Sequence, residues 1–144
     1  MKTFFTIATF IVTAVTFTSF TTKAPTLLGK WQGEDEGEVG IITFEKGGYV
    51  SFNVNGEVVG GKKYEIEGIV MDVFYETDDS VTPHTIDFVF KLNKEQIEIS
   101  RMLGLYQLVD SKTLILNMNF NGTERPGMLD ENSADQIILK KVKR

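Results

Sequence analysis

The chain has 144 residues, with 15 Lys plus Arg against 20 Asp plus Glu, one His and no Cys. A formal charge of -5 argues against a nucleic-acid surface, which needs clustered Lys and Arg facing phosphates. The lack of Cys excludes a disulfide framework, a thiol nucleophile and a lipid-anchored cysteine, and His84 alone supplies too few ligands for the usual zinc catalysis.

The first segment to stand out is N-terminal. Lys2 is followed by an uncharged stretch from Thr3 to Thr22 that carries Phe4, Phe5, Ile7, Phe10, Ile11, Val12, Val15 and Phe17. This is an export-signal pattern. Its many threonines make it less apolar than a bilayer-spanning helix, so cleavage is expected rather than a stable membrane span. Residues 1–24 therefore read as a signal peptide and residues 25–144 as the exported domain, periplasmic or secreted. Thr22-Lys23-Ala24 offers small residues before a cut, although Pro25 after the scissile bond would hinder a peptidase. Removing Lys2 and Lys23 leaves 13 basic residues against 20 acidic ones, a balance of -7.

Beyond that segment Ala occurs only at Ala134, while Val, Ile, Thr, Phe and Tyr recur in short runs. That is strand composition. The acidic group Glu34, Asp35, Glu36 and Glu38 sits in a turn-like stretch bounded by Gly33 and Gly37. Lys46-Gly47-Gly48 and Asn55-Gly56 then divide residues 41–67 into a meander of hairpins, Asn-Gly being favoured where both turn residues need positive φ. Period-two alternation runs through Val50, Phe52 and Val54, then Ile86, Phe88, Phe90 and Leu92, then Ile97 and Ile99, and finally Leu114, Leu116, Met118 and Phe120. Breaks fall at Thr77 to Pro83, Asn93 to Glu95, Asp110 to Lys112 and Asn121 to Asp135. The count is eight to ten short strands with no amphipathic helix and no internal repeat. For one domain this predicts an all-β fold, a closed antiparallel barrel or a sandwich.

Leu28-Gly29-Lys30-Trp31 at the start of the first strand resembles the Gly-x-Trp opening motif of lipocalin-like barrels. Later features follow in a similar order: Pro83-His84-Thr85-Ile86-Asp87, Leu103-Gly104-Leu105-Tyr106, Asp110 with Thr113-Leu114, Glu124-Arg125-Pro126 and a closing Leu139-Lys140-Lys141. Together they are similar to a family of small exported bacterial lipocalin-like domains, most of them uncharacterised. The resemblance implies an antiparallel lipocalin-like β-barrel over nearly the whole domain. The chain is shorter than true lipocalins, lacks their disulfide and shows no C-terminal helix to pack outside the barrel. In such barrels a basic side chain from the last strand often covers the Trp, which makes Lys140, Lys141, Lys143 and Arg144 the candidates.

Each apparent chemical constellation has a plainer structural reading. Trp31 is expected to plug one end of the barrel, its N–H set against a carbonyl. His84 with Asp87 lacks a nucleophile motif and reads as a strand entrance. Glu34, Asp35, Glu36 and Glu38 lack the regular spacing of a Ca²⁺ loop, and Asp78 with Asp79 is another solvated turn. Asn121-Gly122-Thr123 matches a glycosylation acceptor but is first of all a turn. No metal or cofactor is expected.

The expected function is non-catalytic binding of a small, partly apolar molecule in or at the mouth of the barrel. Phe52, Phe74, Phe88, Phe90 and Met118 are the candidate lining, with Phe44 alongside them. Arg101 shares the alternation of Ile97 and Ile99, so it is expected to point inward, paired with Asp72 or with a ligand carboxylate, unless a bulge near Leu103-Gly104 turns it out. The alternative is an envelope protein that binds or inhibits another protein through Thr77 to Pro83 or Asn121 to Asn132. A void of several hundred Å³ would favour the ligand carrier, a filled barrel the interaction protein.

Overall fold

A computed structural model describes residues 26–35, 37–120, 123–129 and 136–143. The signal-peptide segment and the Asn121-Gly122 turn lie outside the described residues. Among the described residues ten antiparallel strands form one sheet: β1 (Gly29–Asp35), β2 (Glu38–Phe44), β3 (Val50–Val54), β4 (Glu57–Gly60), β5 (Tyr64–Ile66), β6 (Ile69–Asp78), β7 (His84–Leu92), β8 (Glu98–Leu108), β9 (Thr113–Asn119) and β10 (Gln136–Lys141). The described residues include no helix, and so none that is long and apolar enough to cross a membrane.

The strand order is β4-β3-β2-β1-β10-β9-β8-β7-β6-β5. First and last strands in sequence thus meet in the middle of the sheet, with Trp31 opposite Lys141. The two edges come together where β3 approaches β6. Val50 O accepts from Gly61 N at 2.7 Å, Gly61 O from Val73 N at 2.9 Å and Gly48 O from Tyr75 N at 2.8 Å. Gly60, at φ 91°, allows that approach, because a Cβ there would lie 2.9 Å from Val50 O and 3.4 Å from Val73. The result is a nearly closed barrel with a seam between β4 and β5.

Local chemistry explains the turns. Asn55 (φ 53°) and Gly56 (φ 84°) form the expected primed turn, which Asn53 braces by accepting from Gly56 N at 3.1 Å. Glu67 (φ 50°) and Gly68 (φ 81°) make a second such turn that composition did not announce. In this up-and-down order the β1–β2, β3–β4, β5–β6 and β7–β8 turns all lie at one end of the barrel, and the β2–β3, β6–β7 and β8–β9 turns at the other.

Alternation puts Trp31, Phe44, Val50, Val73, Ile86, Phe88, Leu114, Leu116, Met118 and Leu139 inside, all buried in one continuous core. Small residues make room where two strands crowd. A Cβ at Gly33 would meet Leu139 Cδ2 at 2.6 Å, and one at Gly104 would meet Met118 Sδ at 2.1 Å.

Candidate ligand cavity

The closed end is built around Trp31. Its indole has no solvent exposure and donates Nε1–H to Leu27 O at 2.7 Å. Lys141 Nζ stands 4.4 Å from the ring centroid and donates to Leu28 O, so the last strand caps the aromatic face. Gly29 (φ 115°) permits this cover, since a Cβ there would come within 3.0 Å of Lys141 Cε and Nζ. Of the described candidates Lys140, Lys141 and Lys143, Lys141 is the one over the ring, and Arg144 lies outside the described residues. On the other side of this end, Tyr106 donates its hydroxyl to Asp79, and burial together with that carboxylate holds the phenol protonated well above its ordinary range. His84 sits beside Tyr106, ring centroids 5.8 Å apart, and its Nδ1 lies 2.9 Å from Val81 O. Asp87 points to the opposite face of β7, so His84 and Asp87 form no acid–base pair.

Above this plug the barrel is hollow. A cavity of about 560 Å³ opens at the end that carries the β1–β2 and β3–β4 turns. Phe52, Phe88, Phe90, Met102 and Met118 form its walls, with Val54 and Phe120 near the rim and Glu38 the one charged side chain among the described lining residues. Phe52 meets Phe88 edge to face at 5.0 Å and Phe88 meets Phe44 at 6.5 Å, which ties the wall to the core below. The expected lining residues Phe52, Phe88, Phe90 and Met118 therefore share one cavity, whereas Phe44 belongs to the closed core.

Two expected residues are elsewhere. Phe74 points outward, because Val73 and Tyr75 take the inner face of β6, Tyr75 packing against Phe44 at 4.9 Å. It stacks on Tyr49 at 4.8 Å, with Lys91 Nζ 5.3 Å above its ring. Arg101 also points outward. A register shift opposite Phe90 and Lys91 leaves Ile99 as an extra residue, so the alternation of Ile97 and Ile99 does not carry through to Arg101. Arg101 instead pairs with Val89 on the outer face, while Met102, Gly104 and Tyr106 line up inside. The bulge thus lies earlier in β8 than Leu103-Gly104.

Arg101 is held on that outer face by three carboxylates: Glu98 at 2.9 Å, Glu76 at 2.8 Å and Asp87 at 2.9 Å. Asp72 is not among them. It accepts from Lys63 N at 2.9 Å, Asn93 Nδ2 at 3.0 Å and Gln96 Nε2 at 2.9 Å, joining the seam turn to the β7–β8 turn. Burial works to raise the Asp72 pKa, but these donors and the nearby Lys62 charge outweigh it and leave the carboxyl below its ordinary value.

Arg125, which sequence reasoning noted only as part of a motif, completes the outer network. It donates to Asp87 Oδ1 at 2.6 Å and to Gly104 O at 2.7 Å. Asn117 Nδ2 donates to Met128 O at 2.9 Å and Asn119 Nδ2 to Glu124 O at 2.8 Å. Residues 123–129 thereby lie across the outside of β7, β8 and β9, and the outward Val89, Leu105 and Asn117 are buried. Burial raises the Asp87 pKa, yet the hydrogen bonds from Arg125 and Arg101 leave it below the ordinary value. The isolated polar residues Asp87, Asn117 and Asn119 on strands otherwise rich in apolar residues were the available signal for this docking surface.

Among the described residues, no group of three or more His, Cys, Asp or Glu is arranged to hold a metal ion. No protein-family model matches the chain, and neither a curated protein nor a solved structure does.

Proposed function

We propose that the protein is an exported carrier that binds one small, largely apolar molecule, without catalysis, inside its barrel. The observation that carries this reading is the cavity of about 560 Å³, walled by Phe52, Phe88, Phe90 and Met118 and set above the packed core that holds Trp31. A void of this size is within the usual range of small-molecule sites, and leaving it unfilled forfeits packing that a core built only for stability would keep. The lipocalin-like character rests on the Gly-x-Trp motif together with the barrel and the Lys141 cover. Export rests on the pattern of residues 1–24.

Native mass spectrometry of protein purified from its own host tests the proposal. A retained apolar molecule at one per chain is the expected result. A bare chain that also fails to take up apolar compounds added in solution would contradict it.

A further inference from the structure

The polar boundary of the cavity has a sign. Among the described residues its lining contains no Lys, Arg or His, and Glu38 is the one charged side chain. The turns at the open end, with the strand residues beside them, add exposed Glu34, Glu57, Glu65, Glu67 and Glu95 against Lys94. Lys63, whose N–H binds Asp72 beside the β7–β8 turn, Lys91 and Arg101 stand nearer this end than the other, but none is among the described lining residues; Lys91 is drawn onto the outer face by Phe74 and Arg101 by Glu76, Asp87 and Glu98. Basic residues collect instead at the closed end, where Lys30, Lys46, Lys112, Lys140 and Lys141 lie. A carboxylate head at the mouth would be desolvated without a partner and would face like charges. An ammonium there would meet Glu38 beside a low-dielectric wall, where attraction is stronger than in bulk water.

Val54 and Phe120 carry the apolar wall up to the rim, each about half exposed. An alkyl chain can therefore run from the Phe88 level to the mouth and leave its head beside Glu38. Resting on the reading of the cavity as a ligand site, we infer that the protein selects amphiphiles with a cationic head, of the alkylammonium class, and that Glu38 is the specificity-determining residue.

The test is displacement of a neutral apolar dye, N-phenyl-1-naphthylamine, by decylammonium, decanol and decanoate at low ionic strength. The readout is the ratio of half-displacing concentrations within each protein, so a general change in affinity cancels. Wild type should favour decylammonium over decanol by about fivefold or more, with decanoate weakest, and the preference should shrink as salt screens it. Glu38→Gln should bring the ammonium-to-alcohol ratio close to one. Glu45→Gln, which removes the same charge at the closed end, should leave the wild-type ratio in place. A wild-type ratio near one, or a ratio unchanged in Glu38→Gln, overturns the inference while dye binding keeps the cavity reading intact. A protein that binds no dye loses both.

Discussion

Lys141 and Trp31 face each other across the junction of the last and first strands, the ammonium 4.4 Å from the indole centroid. The contact joins the first and last strands at the closed end, in the core that underlies the cavity. Trp31→Ala should lower stability by about 3–5 kcal/mol, through lost burial and the void left behind. Lys141→Met, which keeps the stem but not the charge, should cost about 1–2 kcal/mol. Denaturant midpoints measure both, and a loss below about 1 kcal/mol for Trp31→Ala would place the indole outside the core.

Gly104 governs the wall of the cavity from its opposite side. A Cβ there would fall 2.1 Å from Met118 Sδ and 2.8 Å from Asn117 O, and the second of these atoms is backbone. Gly104→Ala should destabilise by about 1–3 kcal/mol and displace Met118 within the cavity. Urea titration with methyl NMR of Met118 would report the two effects, and a neutral result in both would mean that β8 and β9 are farther apart than the structure has them.

Asp87 holds two guanidinium groups on the outer face, and removing its charge should loosen the segment at 123–129. Asp87→Asn is expected to cost about 1–3 kcal/mol and to speed proteolytic cleavage or hydrogen exchange near Arg125. Unchanged exchange there would show that the bonds from Asn117, Asn119 and Arg125 to backbone oxygens hold the segment without the Asp87 charge.

Acid should act through the same groups. Asp72 and Asp87 both lie below the ordinary carboxylate value of 3.8 in the folded chain. Their contribution to stability is therefore complete above that value and is lost as pH falls through it toward the lower folded values. Unfolding midpoints between pH 7 and pH 2 should fall over the acid end of that range. Asp87→Asn should flatten the decline, and an equally steep decline in that variant would assign it to other carboxylates.

The barrel was legible because one-sided burial writes period two into the sequence, and because Asn55-Gly56 and the repeated Gly turns punctuate it. Trp31 was legible for the same kind of local reason, a Gly two residues before a large aromatic at a strand start. Arg101 was misplaced because a single extra residue at Ile99 breaks the phase of the alternation, and a bulge of one residue has no compositional mark. Phe74 was misplaced because β6 buries residues on both faces, Met71 and Val73 inward and Asp72 outward, so alternation alone does not choose its inner side. The hold of Arg125 on Asp87 joins residues far apart in the chain and depends on tertiary contact that no local pattern encodes.

If the hollow is the binding site we propose, filling it should weaken binding, and no other measurement tests this more directly. Gly40 lines the cavity, and a Cβ there would meet nothing closer than 3.8 Å, so Gly40→Phe can place a ring in the void without a backbone clash. Fluorescence titration of wild type with N-phenyl-1-naphthylamine should show saturable binding of one dye per chain, and Gly40→Phe should weaken it at least about tenfold, while circular dichroism keeps the β-sheet signal. No saturable binding by wild type, or equal binding by a folded Gly40→Phe variant, would contradict the account.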